Sequence, residues 1–208
     1  MTLIEIVALI FFLFPLAFSP GPGNMFFAAN GARFGFAKTL SANFGYHLAT
    51  IIVTFLIGFG FNIFFSFIND QYQYIQIIGS LYVIYLAYKF FKAGTYENNN
   101  QNLKCTFVDG VILLVFNPKA YVIISLMFTI FLDGSQSLIK IILISTIFTI
   151  NNCVSFTLWT LFGDLIGAKF RNEKYSKILN KIFSLSLFLV GIWTVSYTHL
   201  TLPTILLV

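Results

Sequence analysis

A lysine stands inside an apolar run at Asn117-Pro118-Lys119, and about a hundred residues earlier a second apolar run is interrupted by Ser19-Pro20-Gly21-Pro22-Gly23-Asn24. In lipid, a broken helix leaves N–H and C=O groups that protein or a polar cavity must satisfy. Paired interruptions at corresponding places in two halves of a chain are a sequence pointer to a transporter's binding site. Asn117-Pro118 reads as a helix start, with asparagine favoured at the N-cap and proline at the first helical position. Asn24 or Ser19 is expected to cap in the same way after the first break. Each restarted half-helix then offers unpaired N–H groups and a positive dipole end, which suit an anion such as a substrate carboxylate. The expected substrate contacts are Ser19, Pro20, Gly21, Pro22 and Asn24 from the first break and Asn117, Pro118 and Lys119 from the second. Lys119 adds a full positive charge there; the competing reading is a side chain snorkelling toward the headgroups.

His47 lies nine residues past Lys38 and so reaches a similar depth. It is the intramembrane group that naturally titrates near neutral pH, which suits proton coupling, but it equally suits an interhelical hydrogen bond. Asn151 and Asn152 lie mid-span; they could hold a substrate's polar group or pin helices together. Asp109 and Asp164 are placed near the cytoplasmic mouths of spans four and five, as plain interfacial groups or as groups that draw in cationic substrates or relay protons. Gly31, Gly35, Gly45, Gly58, Gly60 and Gly79 read as close-packing positions between helices. Cys105 and Cys153 form no CxxC and have no metal-ligand neighbourhood, so both are expected as free thiols. Neither a metal nor a cofactor is expected.

The elements that must position these residues are membrane helices. The chain has 208 residues, 58% of them hydrophobic and only 9% charged, against about a quarter charged in soluble domains. Its mean hydropathy is +0.88. A crossing helix needs roughly 20 apolar residues, and the chain offers six such spans: about 3–32, 39–66, 73–91, 107–132, 138–163 and 181 to the end. The first and fourth are long because each holds a break. Leu3–Phe18 lacks a basic leading region, so no cleavable signal is expected.

Basic residues gather in alternate loops: Arg33 and Lys38; Lys89, Lys92 and Lys104; Lys169, Arg171, Lys174, Lys177 and Lys181. By the positive-inside rule these loops are cytoplasmic and the N-terminus external, and the net charge of +5 reflects orientation, with no nucleic-acid partner expected. The stretch 97–102 is a polar linker. Six helices with breaks in the first and fourth fit two inverted three-helix repeats, about 1–92 and 104–194, in one domain over 1–194. At 1.5 Å per residue both breaks fall roughly 15 Å deep, near the midplane.

The order of motifs resembles the LysE/RhtB amino-acid exporter family. The resemblance rests on Ser19-Pro20-Gly21-Pro22, on Gly35-Phe36, and on Gly79-Ser80-Leu81-Tyr82-Val83-Ile84-Tyr85-Leu86-Ala87. It continues through Phe107 and Gly110 to Asn117-Pro118-Lys119-Ala120 and ends with Leu179-Asn180-Lys181-Ile182-Phe183. The family usually places Asn directly after Ser-Pro-Gly-Pro, whereas Gly23 intervenes here before Asn24. The resemblance implies a transporter and not an enzyme: a proton-driven exporter of small amino acids or derivatives across a bacterial cytoplasmic membrane, multi-pass, with homo-oligomers compatible. Asn152, Trp159 and Gly163 are similar to the branch that exports cysteine and O-acetylserine.

Two other functions compete. A cation exporter of the related cadmium-resistance type needs carboxylate, thiolate or imidazole clusters, and the spans offer His47 and Cys153 beside a lysine. A thiol-disulfide electron carrier needs two thiols within roughly 7 Å between Cα atoms, which Cys105 and Cys153 are not expected to meet. Residues 195–208 break the helical pattern and are similar to translated adapter sequence, so they are expected to be non-native, and His199 is assigned no role.

Overall fold

The computed structural model describes residues 1–60, 105–132 and 137–169, together with scattered positions between 74 and 91, the helical stretch 181–189, and residues 178 and 192. All regular structure among the described residues is helical: α1 (Leu3–Phe18), α2 (Pro22–Phe34), α3 (Phe36–Phe59), α4 (Phe107–Val115), α5 (Pro118–Phe131) and α6 (Leu138–Lys169). Phe36–Phe59 and Leu138–Ala168 are each long and apolar enough to cross a membrane. The pairs α1–α2 and α4–α5 pass the same test together, bent by 59° and 62° at their breaks. Counting each bent pair once, the described residues give four candidate spans. The expected third and sixth spans, Gly79, the 97–102 linker and residues 195–208 lie largely or wholly outside the described residues.

Each bent pair starts and breaks by the same local chemistry. Thr2 caps α1 in a reciprocal box with Glu5, and Thr106 caps α4 in the same arrangement with Asp109. Both second halves begin with proline at the first helical position, Pro22 and Pro118. Proline lacks the N–H that would continue the preceding helix and disfavours helical backbone in the residue before it. Gly21 and Asn117, the residues before these prolines, are accordingly extended. Asp109 is thus a capping residue, as is Asp164, whose Oδ2 accepts the first N–H of α3, from Phe36, at 3.1 Å.

Close backbone approach sets the packing. A Cβ at Gly163 or Gly167 on α6 would overlap the carbonyl oxygen of Ala28 or Ala32 on α2, and one at Gly31 would overlap that of Thr160. Gly45 and Gly110 bring α3 and α4 together in the same manner, against Phe107 and Ala42. Gly58 packs on the Phe128 and Ile141 side chains. Two of the expected packing glycines serve otherwise. Gly35 takes φ 85°, the left-handed backbone that turns the chain from α2 into α3, and Gly60 ends α3 with no close neighbour from another helix among the described residues.

Two apolar clusters result. One gathers Phe26, Phe27, Tyr46, Leu113, Leu114 and Phe156 beside the breaks. The other joins Leu9 and Leu13 to Ile124, Met127, Ile144 and Phe148. Leu3, Ile4, Phe11, Phe44, Phe59, Ile139 and Leu165 point outward with more than half their surface exposed. So much exposed apolar surface would drive association in water and suits contact with lipid tails.

Candidate functional site

The break in the first span is closed on its acceptor side, carbonyl by carbonyl. A helix end leaves its last carbonyls without N–H partners. Here Ser19 Oγ donates to Leu16 O at 3.0 Å. Ala17 O accepts from Asn24 Nδ2 and from Ser155 Oγ, each at 2.9 Å. Trp159 Nε1 donates to Phe18 O at 3.3 Å. Finally, Lys119 Nζ donates to Ser19 O at 2.8 Å and to Ser19 Oγ at 2.9 Å. The lysine of one break therefore ends on the carbonyl terminus of the other, where the negative end of the α1 dipole favours a cation. No carboxylate meets Lys119 among the described residues.

The donor side is open. Met25 N bonds to Gly21 O at 2.9 Å, but the N–H groups of Gly23 and Asn24 have no acceptor among the described residues. Gly21 itself lies under the lysine: a Cβ there would come 2.9 Å from Lys119 Cδ and 3.1 Å from Nζ. A Cβ at Gly23 would press on the Phe156 ring at 2.7 Å and approach Asn117 Nδ2 at 3.5 Å. The two breaks thus meet at Gly21, Gly23, Asn117 and Lys119. Pro20 is exposed, and Ser19 and Lys119 are half-buried, whereas Gly21, Pro22, Asn24, Asn117 and Pro118 are buried.

The expected capping pattern needs correction. Asn117 does occupy the N-cap of α5, but its side chain makes no capping bond. Its Nδ2 instead donates to the Tyr46 hydroxyl at 3.0 Å, and its Oδ1 is buried without a partner. Neither Asn24 nor Ser19 caps α2. Gly21 holds that position, Ser19 terminates α1, and Asn24 turns back to the α1 carbonyls. Two prolines so close together leave one glycine between them as the residue able to stand at the cap.

His47 is buried one residue from Tyr46 and edge-on to the Phe156 ring, 5.6 Å between centroids. Its Nδ1 lies 2.7 Å from Asn43 O and must carry the proton in that contact. Nε2 is then the free acceptor; it makes no hydrogen bond, with the backbone of Asn152 nearby. Asn152 is buried, and Asn151, half-buried, leaves Nδ2 unpartnered. Both stand one turn before Ser155 on α6 and do not touch the breaks through any side-chain hydrogen bond.

Ser155, Trp159, Tyr46 and Phe156 complete the site, although motif reading points to none of them as site residues. Their signal is periodicity: Asn152, Ser155, Phe156 and Trp159 repeat at helical spacing and so share one face of α6. Cys105 is buried and Cys153 half-buried, and neither forms a disulfide. Among the described residues, no three His, Cys, Asp or Glu side chains cluster as metal ligands would.

A family model described as LysE type translocator matches residues 14–198. No curated protein and no solved structure matches the chain.

Proposed function

Because the chain belongs to the LysE type translocator family, a family of membrane transporters, we propose that it is a secondary-active exporter of small amino acids or close derivatives, driven by the proton gradient. The observation that carries this reading is the meeting of the two breaks: the Lys119 ammonium on Ser19, beside N–H groups at the start of α2 that have no acceptor among the described residues. An unneutralised cation and free N–H donors, with no protein carboxylate among them, favour a carboxylate-bearing solute over a metal cation. Substrate contacts come from Ser19, Pro20, Gly21, Pro22 and Asn24 on one side and Asn117, Pro118 and Lys119 on the other. Asn151 and Asn152 line the approach along α6. His47, whose Nε2 is a vacant proton acceptor, carries the coupled proton.

The full assembly is six spans in two inverted repeats, with the N-terminus outside a bacterial cytoplasmic membrane and the breaks near its midplane. Four candidate spans in the order broken, unbroken, broken, unbroken support that plan.

The test is export from cells loaded with labelled amino acids as dipeptides. Expression should release one or a few of them into the medium, and either an uncoupler or Lys119→Ala should stop the release while the protein still inserts. Full export by Lys119→Ala would remove Lys119 from the site, and silence across the whole panel would overturn the amino-acid reading.

A further inference from the structure

Four carbonyls end α1, and their partners differ in kind. Leu16, Ala17 and Phe18 are met by neutral donors: the adjacent Ser19 hydroxyl, Asn24 on α2 with Ser155 on α6, and Trp159 on α6. Ser19 O alone is met by a charged group at the tip of a long side chain from the other break. Ser19 and Lys119 are half-buried and lie next to exposed Pro20; Leu16 and Phe18 are half-buried too, and Ala17 is buried. The ammonium has three protons and, among the described residues, bonds to the two oxygens of Ser19. It sits against Gly21, the cap of α2, and the next N–H groups along the chain, those of Gly23 and Asn24, have no acceptor among the described residues.

We infer that the Ser19 carbonyl and hydroxyl are the ammonium subsite of a zwitterion site, and that Lys119 is a tethered stand-in which the substrate's own ammonium displaces. Acceptors at the end of α1 and donors at the start of α2 are separated only by the short linker between the half-helices. That arrangement fits the adjacent ammonium and carboxylate of an α-amino acid. Once displaced, the Lys119 ammonium is free to turn to the carboxylate, so one ligand both unlatches the two breaks and supplies the anion that the lysine lacks. The inference rests on the exporter reading and narrows its substrate class: the solute must carry N–H bonds on its cationic nitrogen. A quaternary ammonium cannot donate to Ser19, and a carboxylic acid without the amine leaves the latch closed.

Two binding measurements on purified full-length protein test this. In the first, radiolabelled methylammonium is titrated onto the wild type and Lys119→Ala, with sodium chloride as the ionic control. Removing the tethered cation exposes an unpaired carbonyl, so Lys119→Ala should bind methylammonium about tenfold more tightly than the wild type. Ser19→Ala in that background should give back part of the gain. In the second, which needs no variant, labelled glycine bound to the wild type is competed with unlabelled glycine, with its N-trimethyl derivative and with acetate. Glycine should compete at least about tenfold better than either of the others.

A folded Lys119→Ala with no gain for methylammonium overturns the inference, as does an N-trimethyl derivative that competes as well as glycine. If Lys119→Ala does not insert, the second measurement decides alone; if the wild type does not bind glycine, the first does. Methylammonium binding by Lys119→Ala together with failure of every amino acid to bind or be exported would leave the subsite standing and remove the exporter reading.

Discussion

The Asn117 side-chain amide lies 3.0 Å from the Tyr46 hydroxyl, a buried contact that fastens the second break to the middle of α3. Asn117 Oδ1 has no partner of its own, so this is the hydrogen bond that orients the amide. The Tyr46 ring is held independently, 4.8 Å from the Phe156 centroid and 5.8 Å from that of Phe27.

Tyr46→Phe should therefore keep the packing and free only the amide. Leaving a buried polar group unpaired costs about 1–3 kcal/mol, so a modest fall in melting temperature is expected in detergent. Export should fall by a larger factor, because an amide free to rotate no longer presents one end to the break. Transport rate and melting temperature measured on the same preparation separate the two effects. Equal losses in both would mean that Asn117 merely packs.

Asn24 and Ser155 both donate to Ala17 O, and Asn24 Nδ2 also donates to Ser155 Oγ at 3.3 Å. Either one alone keeps the carbonyl satisfied. Asn24→Ala and Ser155→Ala should each be tolerated better than the sum of their lost bonds suggests, and the double variant should cost more than the two singles added. A coupling of about 0.5–3 kcal/mol is the expected range for groups in one network. Thermal melts of the four proteins measure it, and additivity within error would show that the shared carbonyl is not what the two residues hold.

Much of this was legible from the chain because broken membrane helices are spelled in proline and glycine. The 59° and 62° bends fall at Pro22 and Pro118, where missing N–H groups leave the backbone no choice. Convergence of the breaks, by contrast, depends on Lys119 reaching Ser19, and no local pattern encodes a contact between residues 100 positions apart. The capping roles misled for a related reason. Asparagine favours N-caps in general, but at Asn24 and Asn117 the side-chain Nδ2 donates to buried acceptors on other helices, and that turns the amide away from the capping geometry. Ser155 escapes notice, and Trp159 is marked only by the family resemblance and not as a site residue, because a serine and a tryptophan in a span are ordinary until their targets, the orphan carbonyls of α1, are placed beside them.

Glycine contacts predict where substitution is intolerable. At Gly163 and Gly110 an added Cβ would overlap a backbone carbonyl oxygen, of Ala28 and Ala42 respectively, and backbone inside a packed helix cannot step aside. Gly163→Ala and Gly110→Ala should each destabilise by at least the 1–3 kcal/mol or so typical of overpacking. Gly60→Ala is the control, since its nearest neighbour would be Leu56 O at 3.6 Å and its φ of −100° is open to alanine. It should stay within about 0.5 kcal/mol of the parent. Melting curves in one detergent rank the three, and an unaffected Gly163→Ala would mean that α2 and α6 do not approach so closely.

His47 offers the sharpest test of coupling because its two ring nitrogens have separate duties. Nδ1 is committed to Asn43 O at 2.7 Å, which leaves Nε2 as the nitrogen that a transferred proton must join. Once protonated there, the ring carries a charge in a buried setting among Tyr46 and Phe156, with the Asn152 backbone nearby, so the charged form favours whichever arrangement of helices brings it a partner or water. His47→Gln keeps a polar side chain on α3 but cannot cycle a proton. In proteoliposomes it should lose accumulation driven by a pH gradient while retaining exchange of labelled for unlabelled amino acid across the membrane, and its exchange rate should no longer vary with pH between about 5 and 8. If gradient-driven transport survives in His47→Gln, the proton travels by another route. If exchange and gradient-driven transport are lost together, the histidine is a packing residue whose hydrogen bond to Asn43 holds α3 in place.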